Sequence, residues 1–230
     1  TTVSTSETTT PSTTPSTSPT TTPSTTPATT PCPLQEQPLE PCDFRDIFYL
    51  LDGSESVSGP NFLLMMDFVT SVSDDLFNSS TAGNYGAAVG EFSNSFNLNS
   101  LSFMTDQTAF NTLVGAVNQS LGITNTASAL ISVVDFFDAN GRSLGTLGSN
   151  KVVVLVVDGR VSDGDLGNVN SAIAALTSRG ITVVSVGIGA GVTSVPLAQQ
   201  QLLDFSRHDS SLVFIESFGS LSGSAVSVVA

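Results

Sequence analysis

Three near-continuous apolar runs constrain the fold of this chain more than any other feature. They are DIFYLL at 46–51, VVVLVV at 152–157 and ITVVSVGI at 181–188, and they are rich in β-branched residues. Strands covered on both faces carry such unbroken runs, whereas strands with one face in water alternate apolar and polar residues. The runs therefore predict strands of a sheet that has other elements packed on both faces.

Weaker strand patterns and helical patterns fill the intervals between these runs. YGAAVGEF at 85–92 is a glycine-diluted strand candidate, a weak strand falls near 96–103, and LVFI at 212–215 is typical of an edge strand. Apolar residues at spacings of three and four predict helices. They are Phe62, Met65, Met66, Val69, Val72 and Leu76; Phe110, Leu113, Val114 and Val117; Leu130, Val133, Val134 and Phe137; Ile173 and Leu176; and Leu197, Leu202 and Phe205. Strands alternating with helices predict an α/β fold, a doubly wound, mostly parallel six-stranded sheet with helices on both faces.

An oxygen-rich segment follows the first apolar run directly. In DGSES at 52–56, Asp52, Ser54 and Ser56 alternate with two other residues. Side chains at a spacing of two point to one side of a locally extended chain, so these three groups are aimed in one direction.

A second acid, Asp158, ends the apolar run that is fourth among the predicted strands. In the common doubly wound order 3-2-1-4-5-6, the first and fourth strands are neighbours at the point where ligands bind. We therefore expect the carboxylates of Asp52 and Asp158 to lie side by side.

Two adjacent carboxylates repel each other, so that either one of them binds a proton or a cation joins them. The hydroxyls of Ser54 and Ser56 favour the cation, because oxygen-only ligand sets suit hard ions. So small a set leaves waters on the ion, which suits Mg²⁺ better than a dedicated Ca²⁺ cage, with Mn²⁺ and Ca²⁺ as alternatives. The competing interpretation is that the two serines cap the next helix and that Asp158-Gly159 is an ordinary turn.

These segments resemble von Willebrand factor type A (VWA) domains and the related inserted domains of integrins. DGSES matches their Asp-x-Ser-x-Ser element, LGITNTASAL at 121–130 resembles their threonine segment, and VVVLVVDGR is similar to their strand ending in Asp-Gly. The resemblance covers about 43–230 and implies the Rossmann-like fold of that family. Because three separate motifs occur in the expected order, the resemblance is more specific than any one of them.

In that family the corresponding residues form a metal-ion-dependent adhesion site (MIDAS), which keeps one metal position open for an acidic group of a partner. The resemblance implies a metal-binding set of Asp52, Ser54, Ser56, Thr124 and Asp158. It also implies a protein or glycoprotein ligand that offers a carboxylate, matrix proteins included. Thr126 is then expected to cap the helix that begins near Ala127. DGD at 163–165 is expected to be the solvated start of another helix.

The N-terminal segment differs in composition from the rest of the chain. Residues 1–31 are almost wholly Thr, Ser and Pro, with too little apolar surface to offset the entropy of ordering a chain. This composition is typical of a mucin-like, O-glycosylated stalk outside the cell, and an unglycosylated disordered linker is the alternative. We expect a disordered stalk or linker over 1–42 and a VWA domain over 43–230.

Two further features bear on secretion. Cys32 and Cys42 are the only cysteines, and in a secreted chain we expect them to close a short loop with each other or to pair with cysteines outside this sequence. Asn78 and Asn118 each begin a triplet that fits the N-glycosylation pattern. Thr1 is not a start methionine, so we expect the chain to be a piece of a longer extracellular protein.

Charge excludes several functions. The 20 acidic and 6 basic residues give a formal net charge of -14, whereas nucleic acids and anionic membranes require clustered Lys and Arg. No apolar run approaches the length of a membrane span, so no membrane insertion is expected. The sequence contains no Gly-x-Ser-x-Gly element and no Cys/His pair that could form a thiol nucleophile site, so no motif indicates an enzyme. Two functions remain: an adhesion module that binds a carboxylate through the metal, and a structural matrix domain that self-associates.

Overall fold

A computed structural model describes residues 45–80, 84–142, 150–207 and 212–221. Within them, six strands form one sheet in the order β3-β2-β1-β4-β5-β6. The strands are β1 Arg45–Asp52, β2 Tyr85–Phe92, β3 Phe96–Leu98, β4 Asn150–Val157, β5 Ile181–Ile188 and β6 Leu212–Ile215. All neighbouring pairs are parallel except β2 and β3. The predicted fold class and strand order are confirmed.

Helices cover both faces of this sheet, as the doubly wound prediction requires. They are α1 Gly59–Ser79, α2 Gln107–Val114, α3 Thr126–Asn140, α4 Val169–Ser178, α5 Ala190–Thr193 and α6 Pro196–Ser206. Short 3-10 turns occur at Leu166–Asn168 and Phe218–Ser220. Of the helices in the described ranges, none combines the length and apolar character needed to cross a bilayer.

The central strand β1 contributes side chains to two buried clusters, one on each face of the sheet. Its side chains alternate between the faces of the sheet, because successive residues of a strand point in opposite directions. Tyr49 and Leu51 pack in one buried cluster with residues of α1 and α2. Phe48 and Leu50 pack in a second cluster with residues of α3, α4 and α6. The strand is therefore buried from both sides, which accounts for its unbroken apolar run.

Two elements are shorter than their sequence patterns predicted. The weak strand near 96–103 is only Phe96–Leu98 and pairs antiparallel with β2. Beyond it the regular ladder is interrupted at Val89, whose amide donates to the Ser100 hydroxyl at 2.8 Å and whose carbonyl accepts from the Ser100 amide at 3.1 Å. Pairing with β2 resumes only as an isolated bridge between Ala87 and Met104. Helix α2 ends at Val114, so the buried Val117 lies in the turn that follows and not on the helix.

Of the features that bear on secretion, the structure describes the two predicted glycosylation sites but not the two cysteines. Asn78 is exposed in the last turn of α1, and Asn118 is exposed in the connection between α2 and α3. Cys32, Cys42 and the Thr/Ser/Pro segment lie outside the described residues. The disulfide and the stalk therefore stay predictions.

Candidate metal centre

The loop after β1 gathers three of the oxygen-bearing side chains. Asp52 is the last residue of β1 and is fully buried, Ser54 is buried, and Ser56 is exposed. The Ser54 amide donates to Asp52 Oδ1 at 2.9 Å, and the Ser54 and Ser56 hydroxyls are hydrogen-bonded to each other at 2.9 Å. The turn thus folds the alternating residues back over the end of their own strand.

These serines do not cap helix α1. The N-cap is Ser58, whose hydroxyl accepts a hydrogen bond from the Asn61 amide at 3.4 Å, and Pro60 occupies the first turn. A dedicated cap therefore follows the DGSES turn, and the capping interpretation of Ser54 and Ser56 is wrong. Their hydroxyls face each other and the neighbouring loop.

Asp158 joins this group from the neighbouring strand. It follows β4, which pairs in parallel with β1, so both strands end at the same edge of the sheet. The Ser56 hydroxyl donates to Asp158 Oδ1 at 2.7 Å, across 102 residues of sequence. Two carboxylates and two hydroxyls therefore lie within one small region, at the switch point where doubly wound sheets bind ligands.

The electrostatics of this region favour a positive ligand. Burial raises the pKa of Asp52 to about 7, and the charge of Asp158 raises it further, whereas hydrogen bonds with Ser54 and the backbone of Asp158 lower it. Partial burial also raises the pKa of Asp158, against the lowering effect of its hydrogen bond with Ser56. Both carboxyls are therefore in surroundings that resist a second negative charge.

One oxygen of Asp52 bears on whether a cation suits this site. Asp52 Oδ2 is buried and, within the described part of the chain, accepts no hydrogen bond of normal geometry. A buried carboxylate oxygen without a partner is costly, and a bound cation would remove that cost. The described residues contain no cluster of three or more His, Cys, Asp or Glu side chains suited to a metal. The donors that are present, two carboxylates with neutral hydroxyls, are those of a hard and partly hydrated ion such as Mg²⁺.

Thr124 is held beside this group through its backbone. Its carbonyl accepts a hydrogen bond from the Ser162 amide at 2.8 Å, which ties it to the loop after β4. Two residues earlier, the Gly122 carbonyl accepts a hydrogen bond from the Glu55 amide at 2.9 Å, which ties the same segment to DGSES. Within the described ranges no hydrogen bond joins the Thr124 hydroxyl to the other four residues, so its role as a ligand stays a prediction.

The start of helix α3 corrects two sequence predictions. The helix begins at Thr126, and the cap is the carboxylate of Asp165, which accepts hydrogen bonds from the Ala127 amide at 2.6 Å and from the amide and hydroxyl of Ser128. Asp165 is only 2% exposed, so the DGD segment is solvated at Asp163 but not at its second acid. The predicted cap was wrong because the capping group comes from another loop, 38 residues further along the chain.

Glu91 is a buried acid that no sequence motif indicated. It lies at the end of β2 and accepts hydrogen bonds from the Asn97 side chain at 2.7 Å and from the Ser120 hydroxyl at 2.8 Å. A Cβ atom placed on Gly53 would lie 1.8 Å from Glu91 Oε1. Glycine at position 53 therefore lets the first loop rest directly on a carboxylate that also anchors the segment before Thr124.

Comparison with protein families gives a match over most of the described chain. The family model of the von Willebrand factor type A domain matches residues 46–221. This range begins within β1 and ends at the last residue that the structure describes. It therefore contains all five residues of the candidate site.

Individual relatives and a solved structure were also found. The chain is 31% identical over 161 residues to integrin alpha-X of Homo sapiens, covering 69% of this chain and 12% of that protein. It is 30% identical over 145 residues to the collagen alpha-6(VI) chain of Mus musculus, covering 63% of this chain and 6% of that protein. A structure of proximal thread matrix protein 1 from the mussel byssus, with a zinc-occupied MIDAS motif, matches with a TM-score of 0.68 and 24% identity, covering 82% of this chain and 48% of that one. The chain thus spans a small part of the curated relatives and about half of the mussel protein.

Proposed function

Because this chain belongs to the von Willebrand factor type A domain family, we propose that it is an extracellular binding module of the adhesion or matrix type. It binds a carboxylate of a protein or glycoprotein partner through a divalent cation. The proposed ligands of the cation are Asp52, Ser54, Ser56, Thr124 and Asp158. The function is one of binding and not of catalysis.

The observation that carries this proposal is the buried Oδ2 of Asp52, which has no hydrogen-bond partner among the described residues and lies near the carboxylate of Asp158. A cation at that position would relieve the repulsion between the two acids and give Oδ2 a partner. When bound, it supplies a Lewis-acidic position that a carboxylate of the partner can occupy. Two carboxylates balance the charge of a divalent ion and the other protein ligands are neutral hydroxyls, so an anionic partner meets no excess of negative charge at the open coordination position.

The protein residues divide this task between them. Asp52 and Asp158 supply the negative charge that holds the cation, from two adjacent strands that fix their separation. The Ser54 and Ser56 hydroxyls complete the first loop, and their mutual hydrogen bond already orients them. The mussel protein, which shares this fold, has a zinc-occupied MIDAS motif, and this supports a divalent ion in the proposed site. The oxygen donors of this chain favour Mg²⁺, with Mn²⁺ or Ca²⁺ as substitutes.

Thermal unfolding with and without metal tests the proposal. Binding of Mg²⁺ to the folded state alone should stabilise it by about 2.7 kcal/mol when the free ion is at 100 times its dissociation constant. The melting temperature of the wild type should therefore rise between EDTA and millimolar Mg²⁺. Asp158→Ala should abolish this rise, and Thr124→Ala should reduce it because a neutral ligand is lost.

Asp163→Ala is the matched control for these variants. Asp163 lies in the same loop as Asp158, but its side chain is 78% exposed and forms an ion pair with Arg160. This variant should keep the full Mg²⁺-dependent rise. A wild type that shows no rise, or an Asp158→Ala variant that keeps it in full, would contradict the metal site.

A second function is favoured by the matches to a collagen VI chain and to a byssal thread matrix protein. In this alternative the domain assembles with copies of itself or with neighbouring matrix domains, and the Thr/Ser/Pro segment acts as a spacer. Sedimentation velocity in Mg²⁺ and in EDTA separates the two functions. Metal-dependent self-association supports the assembly function, whereas a monomer in both conditions supports binding of a different partner.

A further inference from the structure

Leu121 occupies an unfavourable position beside the candidate site. Its backbone has a positive φ of 63°, and its side chain is 50% exposed. The left-handed conformation costs a residue other than glycine about 1–2 kcal/mol, and leaving a leucine in water forgoes the gain from burying it. Strain of this kind is concentrated at functional sites.

The backbone around Leu121 is fixed against the metal-binding loop. The Leu121 amide donates to the Gly53 carbonyl at 2.9 Å, and the Gly122 carbonyl accepts from the Glu55 amide at 2.9 Å. These two bonds hold the residue in its strained conformation and hold its segment against the turn that carries Ser54. The exposed side chain is therefore a fixed feature of the surface beside the candidate site.

Ile123 adds a second aliphatic side chain to the same segment. It is 53% exposed and immediately precedes Thr124. We call Leu121 and Ile123 the apolar rim. Two large aliphatic residues, each about half exposed and one of them strained, thus lie within three residues of a proposed metal ligand.

The charge distribution indicates which partner this rim suits. No charged residue occurs between Asp106 and Asp135, although the chain has a net charge of -14. The other two loops of the site carry the exposed Glu55 and the Arg160–Asp163 ion pair. An anionic group that approaches over the apolar rim therefore meets no charge carried by this segment itself, and the nearest exposed acid is Glu55, whose amide donates to the Gly122 carbonyl.

We propose that the apolar rim is a specificity contact, and that the partner presents a carboxylate flanked by an aliphatic side chain. This inference rests on the proposed function, because the carboxylate is the group that the cation would bind. The flanking side chain packs against Leu121 and Ile123 and excludes water from the metal–carboxylate contact. A partner with a glycine-flanked acid binds more weakly, because it leaves the rim in water.

Two capped peptides test the inference, acetyl-Gly-Glu-Gly-amide and acetyl-Leu-Glu-Leu-amide. Their binding to the full chain is measured by NMR titration in Mg²⁺ and in EDTA. Partial burial of leucine side chains should make the Leu-flanked peptide bind about fivefold more tightly in Mg²⁺. The double variant Leu121→Asn, Ile123→Asn should bind both peptides with equal affinity.

Stability and a matched control complete the test. Leu121→Asn should melt at the same temperature as the wild type or higher, because Asn tolerates the left-handed conformation. A residue that served only the fold would lower the melting temperature instead. Leu197→Asn is the control, since Leu197 is 51% exposed on α6, outside the loops of the site, and this variant should keep the fivefold preference.

The outcomes separate the rim from the function on which it rests. If both peptides bind the wild type equally and only in Mg²⁺, the metal function stands and the apolar rim is overturned. Loss of the preference in Leu197→Asn also overturns it. If neither peptide binds in a Mg²⁺-dependent way, the proposed carboxylate-binding function fails and the inference falls with it.

Discussion

Acidification in EDTA should stabilise this domain through Asp52. Folding raises the pKa of this carboxyl from 3.8 to about 7, mainly because the group is buried and further because Asp158 is close. A carboxyl whose pKa is raised on folding binds its proton more tightly in the folded state. The resulting stabilisation is fully present below about pH 3.8 and is lost as the pH rises through about 7.

The size of this effect follows from the two pKa values. The difference between 3.8 and about 7 corresponds to about 4 kcal/mol of unfolding free energy, and for a single site about 3 kcal/mol of this is lost between pH 4.5 and 7.5. Other carboxyls act in the opposite direction, because ion pairs with arginine lower the pKa of Asp138 and Asp163. The contribution of Asp52 must therefore be isolated with a variant.

Asp52→Asn provides that comparison, since it replaces the titrating group with a neutral one of similar shape. Urea unfolding of both proteins in EDTA, from pH 4.5 to 7.5, gives the difference in their unfolding free energies at each pH. This difference should change by about 3 kcal/mol in favour of the variant as the pH rises. A difference that stays constant over this range would refute the assignment of a buried, titrating carboxyl at position 52.

The same group should make metal binding depend on pH. Because a proton and Mg²⁺ compete for the Asp52 carboxylate, the apparent dissociation constant for Mg²⁺ should rise about tenfold per pH unit below pH 7. Calorimetry in buffers of different ionisation enthalpy should detect release of close to one proton at pH 6. An affinity for Mg²⁺ that does not vary between pH 5 and 7 would show that Asp52 is not a ligand.

Three further changes test particular contacts. Gly53→Ala should destabilise the domain by about 1–3 kcal/mol in chemical unfolding, because the alanine Cβ would overlap the Glu91 carboxylate. Adding Glu91→Ala should recover part of this loss, and a double variant whose two effects are fully additive would contradict the steric explanation. Asp165→Ala should cost about 2 kcal/mol and reduce hydrogen-exchange protection in the first turn of α3, so unchanged protection there would argue against the cap. Secretion from animal cells should attach a glycan to the exposed Asn118 or Asn78, and a mass spectrum in which neither asparagine carries a hexosamine-bearing glycan would reject both sites.

Local patterns in the sequence were sufficient to predict most of the fold. The β5 run at 181–188 coincides with a mostly buried strand, because continuous apolar runs reflect burial on both faces. The LVFI segment at 212–215 is the predicted edge strand, and its Phe214 is exposed. The strand near 96–103 was overestimated, since the regular ladder with β2 stops after Leu98, where the Ser100 hydroxyl takes the Val89 amide, and no periodicity encodes that side-chain contact. Elements encoded by a local pattern of apolar residues could therefore be predicted, whereas those set by contacts between distant residues could not.

The candidate site divides in the same way. Asp52 and Asp158 could be placed side by side because strand order alone brings the ends of β1 and β4 together. Asp165 and Glu91 could not be predicted, since each satisfies backbone or hydroxyl groups of a segment that is distant in sequence. Only the folded arrangement of the loops shows that these two acids are buried and what they hold.

The position of the site at the end of β1 has a mechanical consequence. The N-terminal part of the chain joins β1 at Arg45, while Asp52 lies at the other end of this eight-residue strand, about 23 Å away. Tension between that segment and a partner held at Asp52 would run along the strand. Because β1 is paired with β2 on one side and β4 on the other, the pull loads both ladders in shear, and their hydrogen bonds must break together and not one after another. The strand that carries the first proposed metal ligand is thus also the one best placed to transmit force through the domain.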